Sequence, residues 1–302
     1  MMQHQDQGAH AADAAAATHG AAADAAHAAA GEAGHSLGQQ ISHTIIHHIT
    51  NSNEIELPFI GPVELPRIEL FGVDLSITKH VVMMWVAGLF LLLLFSLAFR
   101  KRSAVPTGLA NLLEVGVIFV RDEIAVKNLG EKDGKRLSPY LLTVFFFIFT
   151  LNLLGLVPYA ATATGNINVT GALALCTLVL VQVEGVRRHG IAKHFGHMIP
   201  SGLPGWMFPV SFLIFFIELL GFIVIKPFAL MVRLFANMTA GHVAILAFLS
   251  ITFALQAVWA AGLSIPFALF VYMLELLVAL IQAYVFTMLT SLFIGLSLHP
   301  AH

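Results

Sequence analysis

Residues 226–242 read KPFALMVRLFANMTAGH, and they interrupt an otherwise almost continuous apolar run from 204 to 259. Wound as one α-helix, that run is about 80 Å long at 1.5 Å per residue. The hydrocarbon core of a bilayer is only about 30 Å thick. The run is therefore either two spans with a polar link near 226–241 or one very long, steeply tilted helix, bent where Pro227 removes a backbone donor. Arg233 stands in its middle. An arginine keeps its proton, and placing it at mid-bilayer costs about 2.5–3.5 kcal/mol on insertion scales and about 10–17 in simulations. A snorkelling or paired side chain is the structural explanation; use of the charge is the default for an intramembrane ion.

The rest of the 302-residue chain has the same character, with 58% apolar and 11% charged residues and a mean hydropathy of +0.85. An ordinary soluble domain carries about 25% charged residues to cover its surface. The composition is that of an integral membrane protein in contact with lipid. A net charge of −2 excludes the basic footprint of a nucleic-acid binder. P-loop, HExxH and CxxC motifs are missing from the sequence, so it offers no cofactor or metal site and no enzyme acting alone. Cys176 cannot form an intrachain disulfide and reads as buried filler.

Residues 1–36 are an Ala/His-rich segment with almost no large apolar side chains, expected to be disordered. His4, His10, His19, His27 and His35 are irregularly spaced, as low complexity leaves them. In 37–79, Leu37, Ile41, Ile45 and Ile49 are four apart, which predicts a short amphipathic helix. An extended or short-strand connector outside the bilayer follows. The first span is 80–99 and ends on Arg100, Lys101 and Arg102, a cytoplasmic signature. Residues 103–130 mix apolar groups with Asn111, Glu114, Arg121, Asp122, Glu123 and Lys127, so a helix on the cytoplasmic membrane surface is expected. A membrane hairpin occupies 139–186, with spans at 139–158 and 169–186, a turn free of Lys and Arg, and Arg187, Arg188 and Lys193 at its cytoplasmic end. These charges place the N-terminus outside. Lys and Arg do not occur after 233, so charge leaves the topology of 204–298 open.

Polar residues recur in that last region. Asn237 lies one turn beyond Arg233 on the same face, whereas His242 is half a turn round. Glu218 lies fifteen residues before the arginine, about 22 Å along a regular helix. Glu275 and Gln282 are seven apart and share a face. A carboxylate in lipid must be protonated, paired or hydrated. Histidine and a buried glutamate suit proton relay, and a fixed arginine repels protons. Together they point to a polar route through a helix bundle.

At Arg233 the chain closely resembles subunit a of the F-type ATP synthase. The resemblance also rests on SITKHVVMMW at 76–85, NLLGLVPY at 152–159 and NINVTGALAL at 166–175, and covers roughly residues 70–298. It implies an all-α polytopic membrane protein with about five crossings, one membrane-surface helix and two long tilted C-terminal helices in a hairpin. It implies an outside N-terminus, a cytoplasmic C-terminus and a place in the bacterial inner membrane. The implied partners are a rotating ring of c subunits, b-type stator subunits and the remainder of the complex. By the same resemblance Arg233 faces the ring's carboxylate, Asn237 is its neighbour, His242 and Glu275 form the outward half-channel pair, Gln282 is a polar partner near the arginine, and Glu218 is a further half-channel carboxylate. The exchange of one acid and one imidazole between the His242 and Glu275 positions is a variation known in that family.

Two other classes fit the bare chemistry. An ion-coupled secondary transporter would show an internal repeat of broken helices, which the sequence does not display clearly. A structural assembly subunit would use the polar set only to lock helices together.

Overall fold

The computed structural model describes residues 39, 54–57, 61–64, 66, 69–70, 73–74, 76–100, 107–157, 162–196, 208–255 and 258–299. The segment 1–36 and, Gln39 apart, the expected amphipathic helix lie outside the described residues. Compactness divides the chain into 1–48 with 246–266, and 49–245 with 267–302. Of the first unit, the described part is Gln39 and the helical stretches 246–255 and 258–266. The second holds all the site residues discussed below.

The connector before the first span contains two short antiparallel hairpins. β1 (Glu54–Leu57) pairs with β2 (Gly61–Glu64), and β3 (Glu69–Leu70) pairs with β4 (Val73–Asp74). The other main elements among the described residues are helices: α1 (Lys79–Ala98), α2 (Leu109–Ile118), α3 (Lys127–Gly155), α4 (Ile167–His189), α5 (Ile191–Gly196), α6 (Phe208–Leu220), α7 (Lys226–Leu255) and α8 (Val258–Leu298). Five helical stretches among the described residues are long and apolar enough to cross a membrane: Lys79–Ala98, Leu109–Gly155, Ile167–His189, Val210–Thr252 and Gly262–Leu298. The protein is an all-α polytopic membrane protein.

Wide π-type turns at Gly221–Ile225 join α6 to α7 without a break. The long apolar run is thus one helix from 208 to 255, not two spans with a polar link. The widened turns precede Pro227, whose ring would clash with the carbonyl four residues back in a regular helix. A second π run, Phe119–Val126, joins α2 to α3. The sharp change of direction falls a few residues later at Gly130, whose φ of 80° suits glycine.

From that corner α2 runs back alongside α3. A Cβ built on Gly134 would lie 2.7 Å from Val126 Cα and 2.8 Å from the Ala125 carbonyl oxygen. Further along, the Phe146 ring comes within 3.1 Å of a Cβ on Gly116. The other side of the same segment follows α8: Phe119 meets Tyr284 at 5.8 Å between ring centroids, and the Ser291 hydroxyl donates to the Ile124 carbonyl at 3.1 Å. The segment expected at the membrane surface is therefore laid lengthwise along two of the long helices.

Val120, Ile124, Leu141, Ile148, Leu230, Leu234, Phe286 and Ile294 belong to one buried core built from α3, α4, α7, α8 and the π run Phe119–Val126. Large apolar side chains also cover the outside, among them Trp85, Leu92, Leu112, Phe212 and Phe270, as lipid contact requires. Cys176 corrects an expectation, for it is exposed and not buried filler. In a spanning helix an apolar position can face lipid and need not face protein.

The contact at Gly134 is a direct test of this packing. Gly134→Val should destabilise the chain by about 1–3 kcal/mol, because the obstructing atoms are backbone. Gly88→Val, where nothing lies within 4 Å of a Cβ, should leave stability nearly unchanged. Thermal unfolding of the purified full chain in detergent compares the two.

Candidate functional site

α7 sorts its side chains onto two faces by helical period. Leu230, Leu234 and Met238, four apart, are buried against the rest of the bundle. Ala229, Arg233, Ala236, Asn237 and Ala240 are exposed. Arg233 thus sits on the outside of a spanning helix, flanked by alanines. The ion pairs among the described residues join side chains between 121 and 187, and Arg233 is not in one.

Asn237 connects this outer face to the interior. Its Nδ2 donates to Gln282 Oε1 at 2.8 Å, and Gln282 is only 2% exposed. Two turns earlier on α8, Glu275 is equally buried. Its carboxyl lies directly on the α7 backbone: a Cβ on Gly241 would be 2.5 Å from Oε1 and 2.8 Å from Cδ. Only glycine admits the acid there. His242 follows Gly241 and is half-buried. The structure therefore brings Asn237 to Gln282 and Glu275 to the helical turn that carries His242, with Arg233 on the adjoining open face. Among the described residues, Glu275 Oε2 and Gln282 Nε2 are buried without a hydrogen-bond partner, so both retain unused hydrogen-bonding capacity.

Glu218 is not part of this group. It is exposed on α6, on the far side of the Gly221–Ile225 π run from Arg233. Lys226, between them, places its ammonium 4.3 Å from the centroid of the Phe222 ring and 5.4 Å from that of Phe293, an arrangement that suits a cation in apolar surroundings.

Two polar groups escaped the reading from sequence. Asn152 on α3 is fully buried and donates to the Ala279 carbonyl of α8 at 3.2 Å. A single Asn in an apolar span was the available signal. The second group gathers residues of four helices, α3, α4, α5 and α8. Glu184, nearly buried, pairs with Arg136, which also lies 3.3 Å from Asp133. His194 Nε2 meets Gln182 Oε1 at 2.9 Å, and Ser297 donates to the Val181 carbonyl at 3.0 Å. Glu184 stands in a run otherwise read as a plain span, and its shorter ion pair is with Arg136 of a distant stretch, the longer one with Arg187 on its own helix.

A buried acid, a buried glutamine bonded to an exposed asparagine, and an open arginine face lie in a stretch that matches a known family. Residues 81–295 match the family described as ATP synthase A chain. The chain belongs to that family. It is 56% identical over 227 residues to ATP synthase subunit a of Anaeromyxobacter sp. (strain Fw109-5), covering 75% of this chain and 55% of that relative. It is 50% identical over 242 residues to ATP synthase subunit a of Myxococcus xanthus (strain DK1622), covering 79% and 78% of the two chains. To ATP synthase subunit a of Chloroherpeton thalassium (strain ATCC 35110 / GB-78) the identity is 46% over 262 residues, covering 84% and 77%. The chain thus spans little more than half the length of the first relative and over three quarters of the other two. Every site residue named on α7 and α8 falls inside the matched family region.

The Asn237–Gln282 bond makes its own prediction. Asn237→Leu should cost about 1–3 kcal/mol, because Gln282 Oε1 is left buried and unpartnered. Replacing both, Asn237→Leu with Gln282→Leu, should recover part of that loss. Thermal unfolding of the four combinations measures the coupling, and strictly additive losses would show that the bond contributes nothing.

Proposed function

We propose that this chain is the proton-conducting stator subunit of an F-type ATP synthase, not catalytic on its own, and that it works against a rotating ring of c subunits. The observation that carries the reading is Arg233. A charge on the outer face of a spanning helix, unpaired among the described residues, is costly against lipid. It fits instead a partner that brings a carboxylate to it. The alanines beside it let such a partner's helix come close.

In this reading the N-terminus lies outside and the C-terminus in the cytoplasm of a bacterial inner membrane, with α2 near the cytoplasmic side. Protons enter from outside along His242 and Glu275, where the close contact at Gly241 holds the acid beside α7. Gln282 and Asn237 carry the polar path from there to the Arg233 face. A ring carboxylate that takes up a proton can enter lipid as the ring turns, and it releases the proton to an inward half-channel. Facing Arg233 it is ionised, and the fixed positive charge keeps protons from passing directly between the two paths. The membrane potential supplies about 2.3 kcal/mol per charge per 100 mV, so several protons are coupled to each ATP. Glu218 is assigned to the inward side on its place in the chain. The b-type subunits and the rest of the complex hold this chain against rotation.

Arg233→Ala should abolish ATP-driven proton pumping by the assembled complex while ATP hydrolysis by its catalytic head persists. Pumping in inverted membrane vesicles, normalised to assembled complex, measures it. Normal pumping would overturn the proposal, and so would gentle purification that yields neither c subunits nor a catalytic head.

A further inference from the structure

Asn152 is the one fully buried amide of α3 among the described residues, and it makes two directed bonds. Its Nδ2 donates to the Ala279 carbonyl at 3.2 Å. Its Oδ1 accepts from the Thr164 hydroxyl at 2.8 Å. Ala279 is four residues after Glu275 and three before Gln282, so all three lie along one stripe of α8. Ala279 is itself fully buried with only a methyl group, so Asn152 reaches the α8 backbone between the two polar side chains.

Thr164 is no loose partner. It belongs to a short 3₁₀ turn, Ala163–Gly165. That turn is tied to the end of α3 by the Thr162 hydroxyl, which donates to the Gly155 carbonyl at 3.3 Å. Thr162 also packs so closely on Gly155 that a Cβ there would lie 2.9 Å from its Cγ2. On the other side the Gly165 carbonyl faces the Thr239 hydroxyl at 3.5 Å, two residues past Asn237. Asn152 thereby joins three things: the turn between α3 and α4, the stripe of α8 with Glu275 and Gln282, and, through that turn, the part of α7 that carries Asn237.

We infer that Asn152, oriented by Thr164, is a positioning residue for the proton path, setting the rotation and height of α8 so that Glu275 rests on Gly241 and Gln282 meets Asn237. This inference rests on the function proposed above. The Asn152 amide is bonded to a backbone carbonyl and a hydroxyl, and it does not titrate, so it acts through the groups it places. Packing alone would not need it, since leucine has the same branched skeleton with methyl groups in place of the amide oxygen and nitrogen. What leucine lacks is a donor aimed at one chosen carbonyl of the neighbouring helix, and in low dielectric such a bond specifies a single register.

The test is proton flux through the assembled complex in vesicles, normalised to complex content and measured across a range of outside pH. Asn152→Leu should lower the flux per complex about five- to tenfold, the usual consequence of losing one buried directed bond, and should alter its dependence on outside pH. Hydrolysis by the detached catalytic head should not change. A merely structural role would reduce the number of complexes and leave flux per complex as it was. Thr164→Val keeps the bond to Ala279 and removes only the hydroxyl that orients the amide; a fall of about two- to threefold is expected. Should Asn152→Leu fail to assemble, Thr164→Val decides, and unchanged flux per complex in it would overturn the inference. Glu275→Gln is measured alongside. Unchanged flux in Asn152→Leu with Glu275→Gln blocked overturns the positioning role and leaves the proton path standing. Unimpaired flux in both overturns the proton path itself.

Discussion

Lipid gives apolar helices no hydrophobic reason to leave it for one another. The bundle therefore depends on how closely its helix backbones can approach and on which polar groups they can satisfy at the contacts. Both devices are visible throughout. Gly134 admits the backbone at Ala125 and Val126, and Gly295 admits the Asn128 carbonyl, which would lie 2.9 Å from an added Cβ. Ser291, Ser297 and Asn152 each donate to a carbonyl of another helix. Interhelical hydrogen bonds of this kind contribute on average about 0.6 kcal/mol and at most about 1.7 kcal/mol each. Several spread along the helices are needed, and they specify register more than they add stability.

The same constraint explains why the acid and the arginine are treated differently. Glu275 is inside, in a gap opened by Gly241, and Arg233 is outside on a stripe of small residues. The pairing of α7 with α8 separates them while keeping them joined through the Asn237–Gln282 bond. A proton path along the buried side and a fixed charge on the open side can then be parts of one helix pair. Changing the rotation of either helix by a residue would move the acid to lipid or the arginine to the core.

Some of this was legible early. The spacing of Glu275 and Gln282 placed them on one face, and both are buried at the same seam. Arg233 and Asn237 share a face, and both are exposed. Glu218 was less tractable, since a π run lies between it and Arg233 and breaks the regular count of 100° per residue. Cys176 is exposed although its neighbours are apolar, because apolar neighbours imply burial against water and not against lipid. Asn152 and Glu184 are each a single polar residue in a span, and the groups that tie them to other helices, the Ala279 carbonyl and Arg136, are 127 and 48 residues away.

By itself the sequence determined that the chain spans a membrane, roughly where its apolar segments lie, and which charges lipid would not tolerate. Those are properties of composition and local period, and the free energy of transfer into hydrocarbon depends on little else. Tertiary structure decided that 208–255 is a single helix, that the segment before α3 lies along α8, and which side of α7 the arginine takes. It also decided that Asn152 addresses Ala279 and that glycine at 241 makes room for a carboxyl. Such choices depend on sub-ångström fits between backbones far apart in sequence, and no local pattern encodes them.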